Sequence, residues 1–159
     1  MEIRRLNPVD DVALFEAAYQ WLADSPEWRK QTVSVFSTLD RVEYLANTHD
    51  PGRVDVGVWD GDEFIAIVST LLRAKDCYET NFEAKRGANI EVIKQACWQI
   101  KNTFFEKYGA KLSYTMTPRV NRAIIAMDKE LGYVDNKVRL WKGAINGRPC
   151  EWVQLTYVD

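Results

Sequence analysis

One segment of the sequence restricts the possible folds more than any other: a long amphipathic helix that stands between two strands. Apolar side chains recur every three or four positions over residues 89–108, which is the spacing of one face of a helix. The alternating run Cys77–Ala84 precedes this helix, and a second run over residues 111–117 follows it. A strand, a helix of this length and a strand predict a right-handed crossover, so the two strands are expected to lie parallel.

Further elements are predicted before the crossover. They are a strand over residues 2–6, helices over residues 9–23 and 39–46, and strands over residues 54–59 and 64–72. Asn7 followed by Pro8 is typical of a helix start, and Thr38 or Asp40 is expected to cap the second helix. The Asp-Gly-Asp sequence over residues 60–62 indicates a tight turn, so the last two strands are expected to form a hairpin.

The sequence after the crossover predicts one more helix and a final hairpin. The helix is marked by apolar residues at positions 120, 123, 124, 127 and 131 and ends at Gly132. The hairpin joins strands over residues 137–145 and 150–158 through the Asn-Gly pair at 146–147. The resulting order is β-α-α-β-β-β-α-β-α-β-β. It predicts a single α/β (α+β) domain over residues 1–159, with a mixed, mostly antiparallel sheet and one central parallel crossover.

Composition and charge argue against several classes of function. The 159 residues carry a net charge of -2, whereas non-specific nucleic-acid binding requires a basic face. No apolar run approaches the ~20 residues of a membrane span, so no membrane partner is expected. Cys77, Cys97, Cys150 and the lone His49 are too few and too widely spaced for a zinc site, so no metal is predicted. Cysteines that remain reduced also favour a cytoplasmic protein.

Two stretches of the chain carry a resemblance to a known family. Residues 121–133, NRAIIAMDKELGY, resemble the stretch that follows the fifth strand in the GNAT acyltransferase superfamily. Residues 85–87, Lys-Arg-Gly, stand at the junction of the strand and the long helix and resemble the start of the family's CoA loop. Together with the order of elements, the resemblance implies a GNAT-like fold. A looser resemblance is to small GNAT-like proteins of tailed bacteriophages.

The resemblance implies acetyl-CoA as a co-substrate bound near the N-terminus of the long helix. Such a helix end offers unpaired N–H groups and a partial positive charge, which suit a pyrophosphate. The residues implied as the CoA site are Phe82, Ala84, Arg86, Gly87, Ala88, Asn89 and Asn121. The family has a glycine where this chain has Asn89, and a glycine or alanine where it has Glu91. Asn89 is expected to cap the helix, and Glu91 is expected to repel an anionic ligand.

The resemblance also implies an acid and a base for transfer to an amine. The family's tyrosine, which commonly protonates the leaving thiolate, falls on Asp128, and Tyr114 is a second candidate acid. An aspartate is ionised at pH 7 unless it is desolvated, so an exposed Asp128 would be a poor acid. Tyr133 matches a structural aromatic residue of the family and is expected in the core. Glu83 is the candidate general base, because the strand places it with Glu79 on the face expected near the acceptor amine. The alternative is that both glutamates form a solvated face.

These observations predict an enzyme that transfers an acetyl or other acyl group from acyl-CoA to a primary amine of a small molecule or a protein. The alternative is a non-catalytic GNAT-fold protein with a binding or structural role, whose loop has lost CoA binding. The final hairpin is rich in aromatic residues, with Trp141, Trp152 and Tyr157. Because an open strand edge often pairs with a second copy, a homodimer through this hairpin is expected.

Overall fold

The computed structural model describes residues 1–24, 40–145 and 148–158. In this part of the chain, seven strands and four helices follow the predicted order. The strands are β1 (Glu2–Arg5), β2 (Arg53–Asp60), β3 (Glu63–Ala74), β4 (Cys77–Ala84), β5 (Leu112–Pro118), β6 (Val134–Ile145) and β7 (Arg148–Val158). The helices are α1 (Val12–Asp24), α2 (Arg41–Asn47), α3 (Ile90–Tyr108) and α4 (Arg122–Glu130).

The first helix begins later than expected because a turn stands before it. The Asn7 side chain accepts hydrogen bonds from the amides of Val9 at 2.8 Å and Asp10 at 3.1 Å. These bonds close a turn around Pro8 instead of starting the helix. Helix α1 begins only at Val12, so the prediction of a helix from residue 9 is wrong at its start.

The second helix has one of the two caps expected for it. Asp40 is its N-cap, and the carboxylate accepts a hydrogen bond from the amide of Val42 at 2.8 Å. Thr38, the other candidate, lies outside the described residues. The predicted first residue of the helix, at position 39, and the predicted hairpin turn at 146–147 also lie outside them.

The sheet confirms the central crossover. Its strand order is β1-β2-β3-β4-β5-β7-β6, and β4 and β5 form its parallel pair. Helix α3 connects these two strands. It begins after the cap residue Asn89 and ends at Gly109, which adopts the left-handed conformation with φ of 67°. Both ends agree with the predicted helix.

Helices cover both faces of the sheet. Helices α3 and α4 pack on one face through Ile93, Ile100 and Met127. Helices α1 and α2 pack on the other face through Phe15 and Tyr44. The three cysteines are free. None of the described helices is long and apolar enough to cross a membrane.

Candidate active site

Strands β4 and β5 part in the middle of the sheet. Their backbone pairing runs from Cys77 with Leu112 to Glu79 with Tyr114. Beyond this fork, β4 continues along β3 and β5 continues along β7, so each of the two strands keeps one neighbour. The facing edges of β4 and β5 therefore present backbone N–H and C=O groups to a gap inside the sheet, where hydrogen-bond partners are needed.

A cavity of about 270 Å³ occupies this gap. Its walls come from the parted halves of both strands and from the start of α4. They are formed by Asn81, Phe82, Ala84, Thr115, Met116, Thr117, Pro118, Asn121 and Ile124. Three residues of the predicted CoA site, Phe82, Ala84 and Asn121, therefore lie on one cavity.

The turn between β4 and α3 presents a free cationic side chain. Arg86 is exposed and forms no ion pair with the described residues. Gly87 follows with φ of 77°, and a Cβ placed on it would meet no atom within 4 Å. Asn89 ends the turn, and its side chain accepts the amide of Glu91 at 3.1 Å, which confirms the expected cap. The turn is thus open to a ligand on the side of Gly87, although one amide of the helix is already occupied.

Two charged neighbours of the turn are engaged elsewhere. Lys85 Nζ lies 2.5 Å from Glu63 Oε1 of β3, so this lysine already has an anionic partner. Glu91 is paired with Lys94 at 2.7 Å, and the same ammonium lies 2.8 Å from Glu130. The repulsion expected between Glu91 and an anion is therefore reduced by an adjacent cation, which Glu91 shares with Glu130.

Glu83 is a partly buried carboxylate on the face of β4 that α2 covers. Its Oε2 accepts a hydrogen bond from the hydroxyl of Tyr44 in α2. Burial raises the pKa of Glu83, whereas the Tyr44 hydrogen bond and the charge of Arg53 act to lower that pKa. A carboxylate with a raised pKa is a better proton acceptor near neutral pH. The alternative prediction, that Glu83 belongs to a solvated face of the strand, is wrong, because Tyr44 covers the carboxylate.

Glu79 lies on the same face of β4 but has more partners than Glu83. Its Oε2 accepts from Arg73 at 2.6 Å and from the Tyr114 hydroxyl at 3.3 Å. Its Oε1 accepts a hydrogen bond from the side-chain Nδ2 of Asn81 at 3.0 Å. Because Tyr114 belongs to β5, Glu79 holds the two strands together where they part. With its charge neutralised and both oxygens engaged, Glu79 is a weaker candidate for a base than Glu83.

Asp128 is buried on α4, with 7% of its surface exposed. Its Oδ2 has no hydrogen-bond partner among the described residues. Burial raises the pKa of Asp128 to about 7, so a large share of the carboxyl groups carry a proton at neutral pH. Burial and the Asp128 charge also raise the pKa of the Cys97 thiol to about 12, which keeps that thiol protonated. Desolvation thus makes this aspartate an acid near neutral pH.

The two tyrosines considered from the sequence lie in different environments. Tyr133 is buried, and its hydroxyl lies 2.8 Å from Ser113 Oγ, which confirms its expected place in the core. Tyr114 is half-buried at the fork, and burial raises its pKa. Its bond to Glu79 places Tyr114 on the α1–α2 face, whereas Asp128 lies on the α3–α4 face. The two candidate acids therefore do not belong to one cluster.

Tyr44 is the residue that sequence reasoning missed. It is 39 positions away from Glu83, and no local pattern links the two. A buried ionic cluster also escaped notice: Arg53 Nε lies 2.8 Å from Asp55 Oδ2, and Ser69 donates to Asp55 at 2.6 Å. The available signal was indirect, because a tyrosine in an apolar helix face needs a partner for its hydroxyl.

No protein-family model matches the chain, and no curated protein matches it. Among solved structures, smu.2055 from Streptococcus mutans UA159 superimposes with a TM-score of 0.77 and 12% identity, covering 99% of each chain. A chimera of the spermidine N-acetyltransferase SpeG from Vibrio cholerae and hSSAT has a TM-score of 0.75 and 15% identity, covering 99% of this chain and 96% of the other. A point mutant of SpeG from Vibrio cholerae has a TM-score of 0.75 and 16% identity, covering 99% of this chain and 95% of the other.

The chain has the GNAT fold. Its mixed, mostly antiparallel seven-stranded sheet, with a parallel pair at the crossover, matches the fold of the spermidine N-acetyltransferases among these structures. At 16% identity or less, the similarity establishes the fold and not the reaction.

Proposed function

We propose that the protein is an acyl-CoA-dependent N-acyltransferase that moves an acetyl group to a primary amine. The observation that carries this proposal is the open gap between β4 and β5, with Phe82, Ala84 and Asn121 on its walls. Unpaired backbone groups inside a sheet cost free energy, so a protein without a ligand for the gap gains nothing by keeping it. The open gap therefore favours an enzyme over a non-catalytic scaffold.

The gap and the turn fit two different parts of an acyl-CoA. The pantetheine arm is thin and carries amide groups, which complement the unpaired backbone edges of β4 and β5. The pyrophosphate fits the turn, where the Arg86 side chain, the backbone at Gly87 and the N-terminus of α3 all favour an anion. Asn89 occupies the amide of Glu91, so this turn offers fewer donors than a glycine-rich one.

Glu83 lies on the face of β4 that α2 covers, and Asp128 belongs to α4, which packs on the opposite face of the sheet. This arrangement suits a base on the acceptor side and an acid on the sulfur side. The acceptor ammonium loses one proton to Glu83, and its neutral nitrogen attacks the thioester carbon. As the C–N bond forms and the C–S bond breaks, the sulfur takes a proton from the neutral carboxyl of Asp128, and the nitrogen releases its second proton to solvent. Tyr114 is the second candidate for the acid.

The acceptor is proposed to be a small-molecule or protein amine. Two of the similar structures are of SpeG, which is named as a spermidine N-acetyltransferase, so spermidine is the first amine to test. The free cysteines support a cytoplasmic location. The position of β6 at the edge of the sheet supports a homodimer through the C-terminal hairpin.

Calorimetric titration with acetyl-CoA tests the proposed function. The wild-type protein is expected to bind with micromolar affinity, and Arg86→Ala is expected to weaken binding at least about tenfold because it removes a charged phosphate donor. Arg5→Ala is a matched control, since it removes an exposed arginine at the end of β1, the far edge strand of the sheet. Absence of both heat and a thermal shift at millimolar acetyl-CoA would refute the proposal.

A further inference from the structure

Tyr44 supplies the one side-chain hydrogen bond that Glu83 receives from the described residues. Tyr44 is 6% exposed, and its ring packs against that of Tyr19 in α1 with 5.5 Å between the ring centroids. The packing fixes the ring, so the hydroxyl has a defined position over β4. Helix α2 is thus connected directly to the candidate base.

The other charged groups on this face already have partners. Arg53 is paired with Asp55, and both belong to β2. Glu79 accepts hydrogen bonds from Arg73 of β3 and from the Tyr114 hydroxyl of β5. Glu16 of α1 is paired with Arg41 of α2. Of these, Arg53 and Asp55 are close enough to influence Glu83, and their charges oppose each other. The Tyr44 hydroxyl is therefore the specific contact that determines how the Glu83 carboxylate is held.

We infer that Tyr44 is a positioning residue for the general base Glu83, an inference that rests on the proposed acyltransferase function. By binding Oε2, the hydroxyl fixes the carboxylate and leaves Oε1 to accept a proton from the acceptor amine. Helix α2 then contributes to the acceptor side of the site. If the role of Tyr44 were purely structural, its ring would pack in the core and its hydroxyl would have no effect on proton transfer.

The variant Tyr44→Phe separates these two roles, because it keeps the ring and removes the hydroxyl. Loss of a donor to the charged carboxylate raises the pKa of Glu83. The acid limb of the pH profile of kcat/KM, where activity rises as the base loses its proton, therefore moves to higher pH by roughly one unit. Above that limb the rate returns towards the wild-type value. Tyr78→Phe is the matched control, because it removes a hydroxyl from the opposite face of β4 and leaves the limb in place.

A second measurement does not depend on turnover. NMR titration of isotope-labelled glutamate carboxyls, with Glu83 assigned through Glu83→Gln, gives the pKa of Glu83 in the wild-type protein and in Tyr44→Phe. A higher pKa in the variant, together with the displaced acid limb, supports the inference. An unchanged pKa or an unchanged limb overturns it. Failure of the wild-type protein to bind acetyl-CoA would refute the proposed function instead, and the titration would still report on the contact.

Discussion

At the scale of single residues, environment decides which carboxylates can take part in proton transfer. Glu79 and Glu83 belong to the same alternating pattern, yet Glu79 is neutralised by Arg73 whereas Glu83 is held by one hydroxyl. Asp128 stands where the family resemblance places a tyrosine, and burial gives this carboxyl a pKa of about 7. An aspartate in this position is therefore compatible with donation of a proton near neutral pH.

Asp128→Asn is expected to make the stability of the fold less dependent on pH. Burial raises the pKa of Asp128 from the ordinary value of an aspartate to about 7, so the folded state binds this proton more tightly than the unfolded state. Wild-type stability therefore falls as pH rises from about 4 through about 7, by up to roughly 4 kcal/mol. Urea unfolding of both proteins at about pH 5 and about pH 8 measures the part of this fall, roughly 3 kcal/mol, that lies between those pH values. Equal pH dependence in both proteins would contradict the prediction.

At the scale of elements, local patterns predicted the crossover well. The bounds of β4 agree with the alternating run, and α3 begins directly after its predicted cap Asn89 and ends at Tyr108, the last residue of the predicted helix. These features depend on neighbours in sequence, which single-sequence reasoning can use. The gap depends instead on β5 pairing along its length with β7, from Leu112 with Val158 to Pro118 with Trp152. Local alternation carries no information about such pairing, or about the contact between α2 and Glu83.

Asn89→Gly is expected to tighten the binding of acetyl-CoA several-fold. The Asn89 side chain accepts the amide of Glu91, and its removal returns that donor to the pyrophosphate site. Glycine at an N-cap costs only a few tenths of a kcal/mol in helix stability, so Tm should change little. Asp40→Gly, which removes the equivalent cap of α2, is the control and should leave the Kd unchanged. Weaker binding by Asn89→Gly would show that the cap does not compete with the ligand.

At the scale of the whole molecule, the sheet ends in two different edges. Strand β1 is short, whereas β6 is long and exposes Val138, Leu140 and Trp141. Exposed apolar side chains on an open edge favour pairing with another chain. This edge is the reason to expect a second copy on the side of the C-terminal hairpin.

The variant Trp141→Glu is expected to convert a dimer into a monomer. A charge in place of an indole that is 66% exposed disfavours burial at an interface, while it costs the isolated chain little. Sedimentation velocity over a range of concentrations measures the change. Trp98→Glu is the control, because Trp98 is 54% exposed and belongs to α3, not to the edge strand. Sedimentation of the wild-type protein as a monomer at every concentration would rule out the dimer.

The fork between β4 and β5 divides the sheet into two half-sheets, β1–β4 and β5–β7, joined by the short parallel contact that ends at Glu79 and Tyr114. If acyl-CoA binds in the gap as proposed, it takes the place of the missing backbone pairing and links the two half-sheets. Its binding free energy is then added to the cohesion of the fold. The proposed enzyme is accordingly expected to be most rigid with its substrate bound and least rigid just after the product leaves.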